Sequence, residues 1–105
     1  MIDKYILDAD GEPQPCNDLL TWARWYEKAD RTVASDTVGN AQVWTMFLSL
    51  DYSFVASAPI LYETRIFGGA HDGYQVRYAT KAEARRGHEK AVGLVVAGME
   101  NVTSI

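Results

Sequence analysis

The chain has 105 residues, 48% of them hydrophobic and 23% charged, and a formal net charge of −4. A chain of that length builds one domain, residues 1–105, around one core. No run approaches the ~18 apolar residues that a membrane span needs, and an acidic chain without a basic stripe is a poor binder of nucleic acid, because phosphate contacts supply most of the non-specific affinity.

The charge is unevenly placed. Residues 1–30 hold seven acidic groups against three basic ones, whereas residues 31–105 hold seven of each. The N-terminal third therefore carries the whole imbalance, and Asp8, Asp10 and Glu12 within it are candidate contacts for a basic protein partner drawn in by electrostatic steering. Cys16 is the single cysteine and His71 and His88 are the two histidines, so neither an intrachain disulfide nor a zinc-ligand spacing is available, and no metal or cofactor is expected. The start, MIDKYILDADGE, lacks the basic flank and apolar run of a signal peptide. The expected compartment is the reducing cytoplasm.

In chain order, Lys4 to Leu7 forms a short apolar patch ended by Asp8-Ala9-Asp10-Gly11, which predicts a brief first strand and a turn. Pro13 and Pro15 keep the next residues extended, and Asn17 stands as N-cap before DLLTWARWYEKA, where Leu19, Trp22, Ala23 and Tyr26 recur at i, i+3, i+4 and i+7. A strand from Arg31 to Val38 and a Gly39-Asn40 reversal lead into AQVWTMFLSLD, and PILYETRIF follows after the loop DYSFVASAP. Gly68 to Gly73 turns the chain into a last strand, YQVRY. Thr80-Lys-Ala-Glu83 is a capping box, predicting a second helix to about Ala97 with Ala84, His88, Ala91, Val92 and Val95 inward. The order β-α-β-β-β-β-α describes an α+β domain, a mainly antiparallel sheet of four to five strands with two helices on one face.

The central pair of strands, Ala41 to Phe67, organises the rest. Period-two alternation assigns Trp44, Met46, Leu48 and Leu50 to the covered face and Val43, Thr45, Phe47 and Ser49 to the other. The uncovered face is then expected to show a mixture of Phe47, Leu61, Glu63, Arg65, Phe67 and Arg77. Partly apolar faces of this kind meet a loop such as Asp51 to Ala58, a partner, or a second copy of the chain, so Glu63, Arg65 and Phe67 are candidate contact residues and a homodimer is expected.

Chemistry-bearing residues read mostly as structural. His71-Asp72 sits in a glycine-flanked loop and is a turn former before it is an acid/base pair. His88 lies on the apolar stripe of the second helix, as a satisfied core histidine does. Cys16 reads as a half-buried free thiol, and Ser49, Ser53 and Ser57 lack the strand-turn-helix setting of a nucleophile elbow. No catalytic residue is assigned. Among the aromatics, Trp22, Tyr26 and Trp44 are read as core, and Trp25, at the margin of the helical stripe, as an interface anchor.

The strings DLLTWARWYEKADRTVASDTVG, VWTMFLSLDYSF, PILYETRIFGG and YQVRYATKAEARRGHEKAV together resemble a family of short bacteriophage and prophage proteins that read W-x-x-W-x-E, V-S-T-V-F-L-G-L-D-H, L-F-E-T-M-V-F-G-G and R-Y-S-T-W-x-E-A-x-x-G-H. Trp22, Trp25, Phe47, Leu48, Leu50, Asp51, Glu63, Thr64, Phe67, Gly68, Gly69, Arg77, Tyr78, Thr80, Gly87 and His88 match. Trp44, Ser49, Tyr52 and Lys81 depart from it. The resemblance implies a viral accessory protein acting in the bacterial cytoplasm. Small accessory proteins without catalytic motifs commonly act by binding a host factor, which points to a non-enzymatic inhibitor of a host protein or nucleic-acid-handling complex, of the anti-CRISPR type. A small enzyme or ligand-binding domain using Asp51, Glu63, Arg65, His71 and Asp72, and a virion or assembly component, are the alternatives.

Overall fold

A computed structural model describes residues 3–53 and 58–103 of the chain, residues 100–103 by their backbone alone. The elements are β1 (Tyr5–Leu7), β2 (Pro13–Pro15), α1 (Leu19–Lys28), β3 (Thr32–Val38), β4 (Ala41–Phe47), β5 (Tyr62–Phe67), β6 (Gln75–Tyr78) and α2 (Lys81–Thr103). Strands β3 to β6 form one antiparallel sheet in sequence order, and β1 and β2 a separate antiparallel pair. The domain is α+β with an antiparallel four-stranded sheet, as expected. The proline-rich segment adds β2, a strand absent from the expected order. Among the described residues, no helix is long and apolar enough to cross a membrane.

Local chemistry accounts for the boundaries. Asp18, one residue after the expected cap Asn17, is the N-cap of α1: its carboxylate accepts the Leu20 N–H at 3.2 Å and the Thr21 hydroxyl at 2.8 Å. The β3–β4 hairpin closes on two residues, with Val38 opposite Ala41 and Gly39 at a φ of 60°, a conformation that costs glycine little. At the start of α2, Thr80 N–H donates to the Glu83 carboxylate and Glu83 N–H to the Thr80 hydroxyl, both at 3.2 Å. This is the capping box read from the sequence. The helix then runs past the expected end at Ala97, through Gly98, to Thr103.

Helix α2 lies across all four strands of the larger sheet, whereas α1 contacts β1. The second helix is therefore not laid beside the first on one face. No residue of α1 is buried, and Leu19 and Leu20 are exposed. The inward residues of α2 are Ala84, His88, Ala91 and Val95, at the expected spacing. Beneath them lie Val43, Thr45 and Phe47 of β4 and Tyr62, Thr64 and Ile66 of β5. The expected assignment of the two alternations on β4 is thus reversed: Trp44, Met46, Leu48 and Leu50 are only half-buried, and Phe47 and Leu61, expected on the uncovered face, are buried. The reason is steric. α2 presents small side chains at its contact points, and a close-packed helix fits over Val and Thr more readily than over Trp and Met.

The core has two apolar clusters. One joins Ala41, Val43, Ile66, Ala91 and Val95; the other joins Phe47, Leu61, Tyr62 and Ala84, with Tyr5, Leu7, Trp25, Val33 and Tyr78 packed around it. Between them runs a polar chain. His88 Nδ1 is 2.7 Å from the Thr45 hydroxyl, which meets the hydroxyl of Thr64 directly opposite on β5, and His88 Nε2 is 2.7 Å from the Asp36 carboxylate. His88 is the satisfied core histidine expected. Asp36, His88 and Thr45 have the connectivity of an acid–base–hydroxyl relay, but Thr45 has no exposed surface. Their work is to pair polar groups that would each cost about 1–3 kcal/mol if buried alone.

Gly87 faces β6, where a Cβ would collide with the ring and hydroxyl of Tyr78, while a Cβ on Gly93 meets nothing within 4 Å. Gly87→Ala should therefore lower stability by about 1–3 kcal/mol through overpacking, and Gly93→Ala should raise it by roughly 0.5–1 kcal/mol through helix propensity. Urea unfolding midpoints of the two variants check both signs. Equal shifts would show that α2 does not approach β6 this closely.

Candidate functional site

The alternation of β4 that α2 leaves uncovered continues across β5 and β6. Register places Trp44 opposite Arg65, Met46 opposite Glu63, and Glu63 opposite Arg77. These side chains, with Phe67 and with Trp22 and Tyr26 of α1, line a groove of about 320 Å³, to which Arg31, Leu48, Leu50 and Tyr52 also contribute. A second hollow of about 310 Å³, beside His71, Val95 and Met99, is lined almost wholly by apolar and small residues. The first joins aromatic rings to several charged groups and is the candidate functional site.

At its centre is Glu63, only 3% exposed. One carboxylate oxygen takes Arg65 Nε; the other takes Gln75 Nε2 and Arg77 Nε, each at 2.9 Å. A charge this deep is tolerated because charge-assisted bonds replace its hydration. The cations are steadied in turn. The Arg77 guanidinium lies 4.5 Å from the centroid of the Tyr52 ring, and that of Arg31 lies at the same distance from Tyr26 while donating to the Phe47 carbonyl at 3.0 Å. Trp44 is fixed by its indole N–H, 3.1 Å from the Thr32 hydroxyl, and the Trp22 and Tyr26 rings lie 5.0 Å apart. Three arginines against one glutamate leave the groove with two excess positive charges in a protein whose total is −4.

Glu63, Arg65 and Phe67, singled out from the sequence, come together in this groove. The others do not. Trp25 sits edge-on to Phe47, 5.9 Å between ring centroids, and packs on the second core cluster, so it faces inward where an interface anchor was expected. Asp8 closes the β1–β2 turn, accepting the N–H groups of Asp10 and Glu12 at 2.9 Å and the Gln14 amide at 3.0 Å. The Glu12 N–H does most to hold the Asp8 carboxyl below its ordinary range. Asp10 and Glu12 are exposed on that turn, outside the groove. Asp72 accepts the Gly68 N–H at 2.8 Å and so acts as a turn former, and Cys16 is a half-buried free thiol. Ser49 is buried at a φ of 63°; Ser57 lies outside the described residues.

Trp22, Tyr26 and Trp44, read as core, are instead groove walls, and Arg31 and Tyr52 join them without having been singled out. The signal for the arginines was present in the spacing of Glu63 and Arg65 on one strand and Arg77 on the next. The signal for the aromatics was not, because it depended on which face α2 covers. Comparison with family models, with curated proteins and with solved structures gives no match for the chain.

Asp51 holds the segment that carries Tyr52. Burial raises its carboxyl, but the N–H groups of Ser53 and Ile60, at 2.9 and 3.0 Å, and the Ser53 side chain outweigh burial and hold it below the usual aspartate range. A depressed carboxyl stabilises the fold above its unfolded value, and that contribution is lost as pH falls through the folded value. Asp51→Ala should therefore cost roughly 1–2 kcal/mol at pH 7, the scale of a lost capping carboxylate, and progressively less as the pH drops below the ordinary aspartate range. Thermal unfolding across pH reads this directly. A penalty independent of pH would mean that the ionised carboxylate is not what pins the loop.

Proposed function

We propose that this chain is a phage accessory protein that works by binding, engaging and inhibiting a host protein or complex through its uncovered sheet face, with CRISPR-type defence complexes as the target class. The carrying observation is the make-up of that face: Trp22, Tyr26, Trp44, Tyr52, Arg31, Arg65 and Arg77 line one groove, and Trp, Tyr and Arg are the residue types in which interface binding energy concentrates. The side chains are held before any partner arrives, by the contacts of Glu63 with Arg65 and Arg77 and by the stacking of Arg31 on Tyr26 and of Arg77 on Tyr52, which lowers the entropic cost of association. The phage assignment and the bacterial cytoplasm as site of action rest on the sequence resemblance, and the exposed Asp10 and Glu12 fit a partner with a basic surface.

A second reading, a small ligand-binding domain, is favoured by the concavity of the same groove. A homodimer through this face would bury Phe67, which is 44% exposed at the groove edge.

Phe67→Glu separates these outcomes. Its exposure lets the substitution leave the melting temperature within a few degrees of wild type, while a carboxylate at the groove edge should abolish host-protein capture and the protection that the wild-type protein gives infecting phage. Sedimentation of both forms at micromolar concentration identifies a dimer if the wild type alone is one. A variant that captures the same host protein and protects phage as well as wild type removes this face as the partner site.

A further inference from the structure

The groove holds more hydrogen-bonding capacity than the fold uses. A guanidinium has five N–H donors, yet among the described residues Arg65 and Arg77 each donate through Nε alone, both to Glu63. Among the described residues their terminal nitrogens have no acceptor, and the side chains are 47% and 37% exposed. They are also held in place. Glu63 lies between them, Gln75 fixes its carboxylate, and Tyr52 backs Arg77. Two guanidinium ends on neighbouring strands, tied to a common carboxylate, make a rigid fork for an anion with several oxygens.

Charge narrows the class of that anion. The groove has two excess positive charges, one at the fork of Arg65, Arg77 and Glu63 and one on Arg31; a carboxylate would neutralise one, whereas a phosphate monoester carries about −1.5 to −2 at neutral pH and offers three acceptor oxygens. The remaining walls are largely apolar, with Met46, Leu48 and Leu50 among them, and they include flat rings: Trp44, opposite Arg65 in the sheet, and the paired rings of Trp22 and Tyr26, the latter carrying the Arg31 guanidinium. Such surfaces stack planar heterocycles. At about 320 Å³ the groove falls at the lower end of small-molecule sites, a size for one nucleotide rather than a strand.

We propose that the groove binds a mononucleotide, its phosphate on the terminal nitrogens of Arg65 and Arg77 and its base against Trp44 and the Trp22–Tyr26 wall. This goes beyond the protein-partner reading and is tested apart from it, on the purified protein with no host factor present.

Calorimetric titration with adenosine 5′-monophosphate, adenosine and inorganic phosphate tests it. The nucleotide should bind at least ~10-fold more tightly than either half, since each half keeps only part of the contact free energy. Arg65→Lys keeps the charge but loses the fork and should weaken the nucleotide several-fold; Arg65→Gln should weaken it further, and Trp44→Leu should weaken nucleotide and adenosine but leave phosphate unchanged. Because Arg65→Gln deprives Glu63 of a partner, the double variant Glu63→Gln/Arg65→Gln, which strands no carboxylate, serves as the control for folding. No saturation by the nucleotide at about 1 mM overturns the proposal. So does inorganic phosphate binding as well as the nucleotide, affinity indifferent to Arg65, or a single-stranded oligonucleotide binding where the mononucleotide does not. Failure here with host-protein capture intact leaves the partner reading standing.

Discussion

The close approach of α2 to the sheet is the constraint on which the rest depends. Ala84 and Ala91 at its contact points are fully buried, and Gly87 leaves room for the Tyr78 hydroxyl. A helix presenting such small side chains sits low on the strands, over the compact Val43, Thr45, Thr64 and Ile66, while the larger Phe47 and Tyr62 find their room beside Ala84. The side of the sheet that is covered is thus decided by volume complementarity rather than by which alternation is the more hydrophobic.

The polar chain of Asp36, His88, Thr45 and Thr64 follows from the same placement. Thr45 and Thr64 are directly opposed on neighbouring strands, and His88 sits on the helix above them. Three polar side chains in the middle of a core lower its apolar area, but they fix how helix and sheet are aligned, since sliding α2 by one turn would take the His88 imidazole away from both Thr45 and Asp36, while the two threonine hydroxyls would keep only each other. Apolar contact alone tolerates such slips more readily. The two apolar clusters on either side of this belt then supply most of the burial energy, and the belt supplies the alignment.

Much of the fold was legible in the sequence because its signals are local. The capping box at Thr80, the two-residue turn at Gly39-Asn40 and the inward stripe of Ala84, His88, Ala91 and Val95 each depend on residues close together in the chain, and each is found in the structure. The polarity of the sheet was not legible. Alternation separates Trp44, Met46, Leu48 and Leu50 from Val43, Thr45, Phe47 and Ser49, yet it does not say which set meets the helix, and the greasier set is the natural choice only if the helix can accommodate its bulk. That single inversion moved Trp44 from core to groove. The placement of Trp25 has a similar origin: helical periodicity puts it at the margin of a stripe, but it does not say that α1 docks beside β1 with that margin turned onto Phe47 at the end of β4.

The inversion explains how an acidic protein comes to have a cationic groove. A sheet face bearing Trp44, Met46 and Phe67 alone would be an apolar patch of the kind that drives indiscriminate association. Placing arginines at the edges of such a patch makes it wettable, but mobile arginines would lose side-chain entropy on every binding event. Glu63 resolves both difficulties. It is deep enough, and close enough to Arg65, Gln75 and Arg77, to hold the cations against the aromatic walls, and in doing so it uses only one donor of each arginine. A buried carboxylate contributes little net stability by itself. Its contribution is to convert a greasy face into one with fixed charge and fixed shape, which is what a selective binding surface requires.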